Sequence, residues 1–221
     1  KAQGADIINM SFSASQLSPM LLAALNYGGP NRSLLIASVG NDSSDVDTYP
    51  AAHSLAMGIS AVAQNEHLAP FSNYGDYVEL CAPGVNVYSA LPGAESGWGT
   101  WSGTSFAAPF VAGVAALAMQ VDPDRAPQDV RQLLTDAARS ELAWGSIAPP
   151  DPLYGWGMVD AFEAVAGLSV GDLDGSGQRD SADLQLMISY VDSQPGGGQG
   201  GGGNAGNPNP GFLMRLADVN C

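Results

Sequence analysis

A hydroxyl on a sharp turn before a buried helix can act as a nucleophile. One stretch of the chain has that form: Gly103-Thr104-Ser105-Phe106-Ala107-Ala108-Pro109-Phe110-Val111-Ala112-Gly113. Gly103 lets the backbone turn tightly. Ser105 then falls at a helix start, where unpaired N–H groups and the positive dipole end favour developing negative charge. Ala107, Ala108, Ala112 and Gly113 are expected to let neighbouring elements approach closely. Pro109 is expected near the beginning of the helix, where it is tolerated. Acyl transfer needs a nucleophile, a base, a group that orients the base, and donors for the oxyanion. Ser105 and its own N–H supply the first and part of the last. Asn41, an amide that follows Gly40 at the end of an apolar run, is a candidate second donor, although Gly-Asn is also a common turn former. The two histidines, His53 and His67, lie in loop sequence and read as surface groups.

A second chemistry lies near the C-terminus. Residues 172–183 form a twelve-residue loop with side-chain oxygens at positions 1, 3, 5, 9 and 12: Asp172, Asp174, Ser176, Asp180 and Asp183. Gly177 stands where a sharp turn around Ca²⁺ requires it, and Gln178 would add its backbone carbonyl. Leu184, Met187, Ile188 and Val191 follow at helical spacing. Calcium is the expected cofactor of this loop, and none is expected for catalysis.

The elements that must position these groups are legible as apolar runs. Strands are expected over 5–12, 33–39 and 58–63, with shorter ones over 78–80 and 85–89. Helices are expected over 19–25, stopped by Gly28-Gly29-Pro30, and over 104–121 and 127–139. In the last, Val130, Leu133, Leu134 and Ala137 share one face. Continuous apolar strands alternating with helices predict an α/β fold, a mostly parallel sheet covered by helices on both faces. The expected divisions are a main domain over 1–168, a calcium repeat over 169–194, a Gly/Asn/Pro-rich linker over 195–211, and the start of a second repeat over 212–221.

Composition narrows the function classes. The 221 residues include 45% hydrophobic and 13% charged side chains, enough for one good core and a small appendage. With 22 acidic against 7 basic residues the net charge is -15, which disfavours nucleic-acid binding. No run of about twenty apolar residues predicts a membrane span. Cys81, in an apolar stretch, reads as a buried small side chain, and Cys221 ends the chain. The chain starts without Met and stops inside a motif, so it reads as a piece of a longer protein.

The Gly103–Gly113 stretch resembles the serine motif of the subtilisin-like peptidases, or subtilases, with Phe106 where Met is common and Phe110 where a non-catalytic His is common. Further segments resemble that family in the same order: residues 4–11, Ser38-Val39-Gly40-Asn41, Phe71-Ser72-Asn73-Tyr74-Gly75, Ala82-Pro83-Gly84-Val85 and residues 154–161. The resemblance implies a serine endopeptidase with Ser105 as nucleophile and Asn41 in the oxyanion hole, acting on a protein or peptide and secreted. It implies that the peptide binds as an added strand between Ser11-Phe12-Ser13 and Ser38-Val39-Gly40. Ser13 replaces a usual glycine and Val39 a usual alanine, so the first specificity pocket is expected to be narrowed or reshaped. The family's D-x-G and H-G-T motifs do not occur here, so this length of chain alone is expected to be inactive. The acidic loop resembles the EF-hand loop and, with Asp183 at position 12 and no entering helix, a type I dockerin repeat. Residues 216–221 look like the start of a second repeat. That implies a cohesin domain as partner, faced by Ser181 and Ala182. The alternative is a non-catalytic subtilase-like scaffold that presents a dockerin for extracellular assembly.

Overall fold

The structure, a computed structural model, describes residues 4–29, 32–90, 97–123 and 125–169. The expected calcium loop, linker and second repeat lie outside the described residues. The elements run β1 (Ile7–Met10), α1 (Pro19–Gly28), β2 (Leu34–Ser38), β3 (Ala56–Val62), β4 (Val78–Pro83), β5 (Val87–Ala90), β6 (Trp98–Trp101), α2 (Thr104–Val121), α3 (Pro127–Asp136), β7 (Glu141–Leu142), β8 (Gly145–Ser146) and α4 (Ala161–Ser169).

Strands β1 to β4 form one four-stranded sheet in the order β1-β2-β3-β4, parallel throughout. Its side chains alternate between two cores, as the strand period requires. Leu34 and Ile36 of β2, Met57, Ile59 and Ala61 of β3, and Leu80 and Ala82 of β4 face a cluster built with Ala107, Ala108, Val111 and Ala115 of α2 and Val130 and Leu134 of α3. Leu35, Ala37, Ala56 and Val78 face the other way, onto Leu25 and Leu21 of α1. The sheet is therefore covered by helices on both faces. Leu133 and Ala137 pack partly buried against the first cluster, so the expected α3 face is the one that docks.

Helix α1 starts where the Ser18 side chain accepts from the Leu21 N–H at 3.2 Å, with Pro19 in the first turn. Among the described residues, α2 is the one helix long and apolar enough to cross a membrane, with 18 residues at mean hydropathy 1.5. Its apolarity has a local cause: Ala107, Ala108, Val111, Val114, Ala115 and Ala118 are buried in the domain. Two expectations for α2 are corrected. Pro109 lies inside the helix, past its first turn. Gly113 is exposed, and a Cβ there would meet nothing within 4 Å, so it mediates no close approach.

Residues 154–161 run alongside β4 in the same direction, with a parallel bridge between Cys81 and Met158. Trp156 N–H donates to Glu79 O at 2.8 Å, Cys81 N–H to Gly157 O at 2.9 Å, and Val159 N–H to Cys81 O at 2.9 Å. Asp160 then caps α4, its Oδ1 accepting from the Glu163 N–H at 3.0 Å. Beneath this segment Cys81 is 0% exposed, and burial pushes its thiol up to about 12. Cys81 is thus the buried small side chain expected.

Candidate active site

Carboxyl-terminal strand ends and the start of α2 meet at one place. Gly84, just after β4, brings them together: its N–H donates to Val62 O at 3.0 Å and its carbonyl accepts from Gly103 N–H at 2.8 Å. A Cβ on Gly84 would lie 2.6 Å from Ala61 Cβ and 2.9 Å from Gly103 O, so only glycine permits this approach.

Ser105 is half-buried in the first turn of α2. Its Oγ donates to Ser11 O at 3.2 Å, and Ser11 Oγ donates to Ser105 O at 2.8 Å. The second bond has a covalent origin. In a regular helix Ser105 O would accept from the N–H of residue 109, and Pro109 has none. The hydroxyl of Ser11, just past β1, takes that acceptor instead. Asn9 Nδ2 in turn donates to Ser11 Oγ at 2.9 Å.

Asn41 is exposed at the end of the β2 turn, and its side chain is fixed by Thr104. Asn41 Oδ1 accepts from the Thr104 N–H and from Thr104 Oγ1, both at 2.9 Å. Gly40 N–H donates to Thr104 Oγ1 at 3.3 Å, completing a relay through a residue that is 0% exposed. Two donors on Oδ1 leave Nδ2 turned the other way. It lies 3.5 Å from where a Cβ of Gly103 would stand, beside the start of α2. Phe106 N–H is held by Gly103 O at 3.0 Å. The Ser105 N–H meets no acceptor among the described residues. An unengaged amide, a helix start and a hydroxyl thus converge, the donor set an oxyanion requires.

Phe12 is 53% exposed. Ser13 is exposed, and its Oγ lies 3.5 Å from a Cβ built on Gly40, so the β1 and β2 ends are adjacent. Ser38 and Gly40 are buried. Val39 is 0% exposed and packs in the α1-side core. Val39 O is also occupied, accepting from Thr48 Oγ1 at 2.5 Å and Asn73 Nδ2 at 3.1 Å. His53 lies in the turn before β3, where its Nδ1 accepts from Leu55 N–H at 3.2 Å. His67 stacks on Trp144 with ring centroids 5.2 Å apart. The metal-loop residues Asp172, Asp174, Ser176, Gln178, Asp180 and Asp183 lie outside the described residues.

Thr104 and Asn73 were not expected as site residues. The available signal was their place inside motifs, Thr104 between the glycine and the serine and Asn73 within Phe71-Ser72-Asn73-Tyr74-Gly75. Each is a polar side chain whose partners lie far away in sequence.

A parallel sheet with helices on both faces, and a serine on the first turn of a helix beside an asparagine amide, defines the subtilisin-like class of α/β proteins. Comparison with known proteins agrees: residues 1–157 match the Subtilase family, peptidase S8. The chain belongs to the subtilase family. It is 38% identical over 163 residues to the halolysin-like extracellular serine protease Nep of Natrialba magadii, covering 74% of this chain and 29% of that protein. It is 37% identical over 162 residues to subtilisin BL of Lederbergia lenta, covering 73% of this chain and 57% of that protein. The solved structure of the prenylagaramide maturation protease PagA superposes with a TM-score of 0.66 at 30% identity, covering 76% of this chain and 63% of that one. The chain therefore spans less than two thirds of the relatives it matches.

Proposed function

We propose that the chain carries the nucleophile and oxyanion donors of a secreted serine endopeptidase. Ser105 Oγ attacks the carbonyl carbon of a peptide bond and its proton passes to a base. That proton then leaves with the departing amine, and water hydrolyses the acyl-enzyme. The Asn41 amide and the Ser105 N–H hold the negative oxygen between these steps. The peptide lies as an added strand along residues 11–13 and 38–40. What supports this is the Thr104–Asn41 contact, which turns the Asn41 amide toward the start of α2. The base and its orienting acid are proposed to come from D-x-G and H-G-T segments outside residues 1–221.

In addition, Asp172, Asp174, Ser176, Gln178, Asp180 and Asp183 are proposed to bind Ca²⁺ in a module that docks a cohesin domain through Ser181 and Ala182. Calorimetric titration should show Ca²⁺ binding that Asp172→Ala removes; no binding by the complete two-repeat module defeats that part.

A second reading, a non-catalytic scaffold, is favoured by one observation: Ser105 Oγ is engaged with Ser11 O, while His53 and His67 are held elsewhere. Peptide hydrolysis decides between them. The full-length protein should cleave a peptide substrate and lose that activity in Ser105→Ala, and the 221-residue chain alone should not cleave. A full-length protein without turnover supports the scaffold. Turnover by the 221-residue chain, abolished in Ser105→Ala, refutes the external base.

A further inference from the structure

The turn that presents Asn41 is held from beneath by one buried side chain. Asn73 is 0% exposed, and its carboxamide makes three hydrogen bonds to this turn. Its Oδ1 accepts from Asp42 N–H at 2.7 Å and Ser44 N–H at 3.2 Å. Its Nδ2 donates to Val39 O at 3.1 Å, and its own N–H donates to Gly40 O at 3.0 Å. Asn73 therefore grips the chain on both sides of Asn41 and leaves Asn41 itself untouched.

The grip holds a conformation the chain would not choose alone. Gly40 has φ +104, and a Cβ there would lie 2.5 Å from Asn73 Nδ2, so the turn closes onto the amide. Ser43, a non-glycine residue, has φ +52, between the two residues whose N–H groups Asn73 holds. Such a backbone persists only where its surroundings over-determine it. Ser43 N–H to Phe71 O at 2.9 Å and Tyr74 N–H to Ser44 O at 3.0 Å complete the lacing. Thr104 fixes how the Asn41 side chain rotates, and Asn73 fixes where its backbone stands.

We propose that Asn73 is a positioning residue that sets the Asn41 amide at the oxyanion site. This rests on the oxyanion role proposed for Asn41. An error of about 1 Å in such a donor can cost about 10²-fold in rate, so the placement has a catalytic consequence.

Two measurements on the full-length protein test it. In a Ser105→Ala background, amide hydrogen exchange at Asp42 and Ser44 should quicken about tenfold or more in Asn73→Ala, with Ile36 and Ile59 unchanged. Unchanged exchange at 42 and 44 overturns the proposal. In the active protein, Asn73→Ala should lower kcat about 10–100-fold with KM little changed, but less than about threefold when Asn41 is already alanine. Equal losses in both backgrounds overturn it, because a merely structural role is blind to Asn41. A normal kcat in Asn41→Ala alone instead overturns the oxyanion role. If Asn73→Ala does not fold, Asn73→Ser, which keeps an acceptor for Asp42 N–H, should show the same dependence on Asn41 at smaller size.

Discussion

Ser11 and Ser105, 94 positions apart, exchange hydrogen bonds: each hydroxyl donates to the other's carbonyl, at 2.8 Å from Ser11 and 3.2 Å from Ser105. Pro109 makes this possible by freeing the Ser105 carbonyl from the helix ladder. Ser105, the proposed nucleophile, is thereby anchored to the end of β1.

Ser11→Ala should leave that carbonyl without its hydroxyl donor and destabilise the fold by about 1–3 kcal/mol. In a domain of this size the melting temperature should fall by about 2–4 °C per kcal/mol. Adding Pro109→Ala to Ser11→Ala should recover part of the loss, because residue 109 then supplies an N–H. Calorimetric melting of the four proteins gives the coupling, and strictly additive effects would contradict the role given to Pro109.

Thr104→Val should remove the hydroxyl that links Gly40 N–H to Asn41 Oδ1, stranding a buried N–H at a cost of about 1–3 kcal/mol. Its kcat should fall as the Asn41 amide loses one of its two restraints, while Thr104→Ser should keep both stability and rate. Asn41→Ala should lower kcat about 10²–10³-fold, a figure known from a subtilisin itself and carried over from that relative. Steady-state kinetics of the three variants checks the order. A Thr104→Val enzyme with unchanged kcat would count against the relay.

Cys81 should resist thiol reagents at pH 8 in the folded protein and react fully in denaturant. Its thiol is raised from 9.0 to about 12 by burial, so the folded state holds its proton longer than the unfolded one. The stability it contributes is complete below pH 9 and is lost as pH rises toward 12. Cys81→Ala or Cys81→Ser should flatten that alkaline limb. Rapid labelling in native buffer would show that the core around residues 154–161 opens.

Acid should act through Glu66. The Arg139 guanidinium holds the Glu66 carboxyl below its ordinary value of 4.5, with contacts of 2.7 and 3.2 Å, and Ala143 N–H adds another at 2.6 Å. A depressed pKa contributes stability that is present above 4.5 and is lost as pH falls through the folded value. Glu66→Gln should weaken the protein at pH 7 and shrink its acid sensitivity below 4.5. Equal pH dependence in both proteins would place that sensitivity elsewhere.

Much of the fold was legible because its strands are continuous apolar runs. Residues 33–39 and 58–63 contain or overlap β2 and β3, and α2 spans the expected 104–121. Strand β6 is not legible in the sequence, because Trp98, Gly99, Thr100 and Trp101 lie on a two-stranded ribbon whose tryptophans are exposed, so no alternation marks a buried face. Helix α4 was hidden in a short segment that Asp160 caps. Ser105 and Asn41 stood out through local turn chemistry. Thr104 and Asn73 did not, because their meaning lies in partners 63 and 31 residues away. The side-chain direction of Val39 likewise depends on strand register against α1, which residue type does not encode.

Treating the full-length protein with a fluorophosphonate and mapping the adduct by mass spectrometry tests whether Ser105 is the nucleophile. A single adduct is predicted on Ser105, absent in Ser105→Ala and formed more slowly in Asn41→Ala. A folded full-length protein that takes up no label, or takes it up on another serine, would show that Ser105 is not the nucleophile.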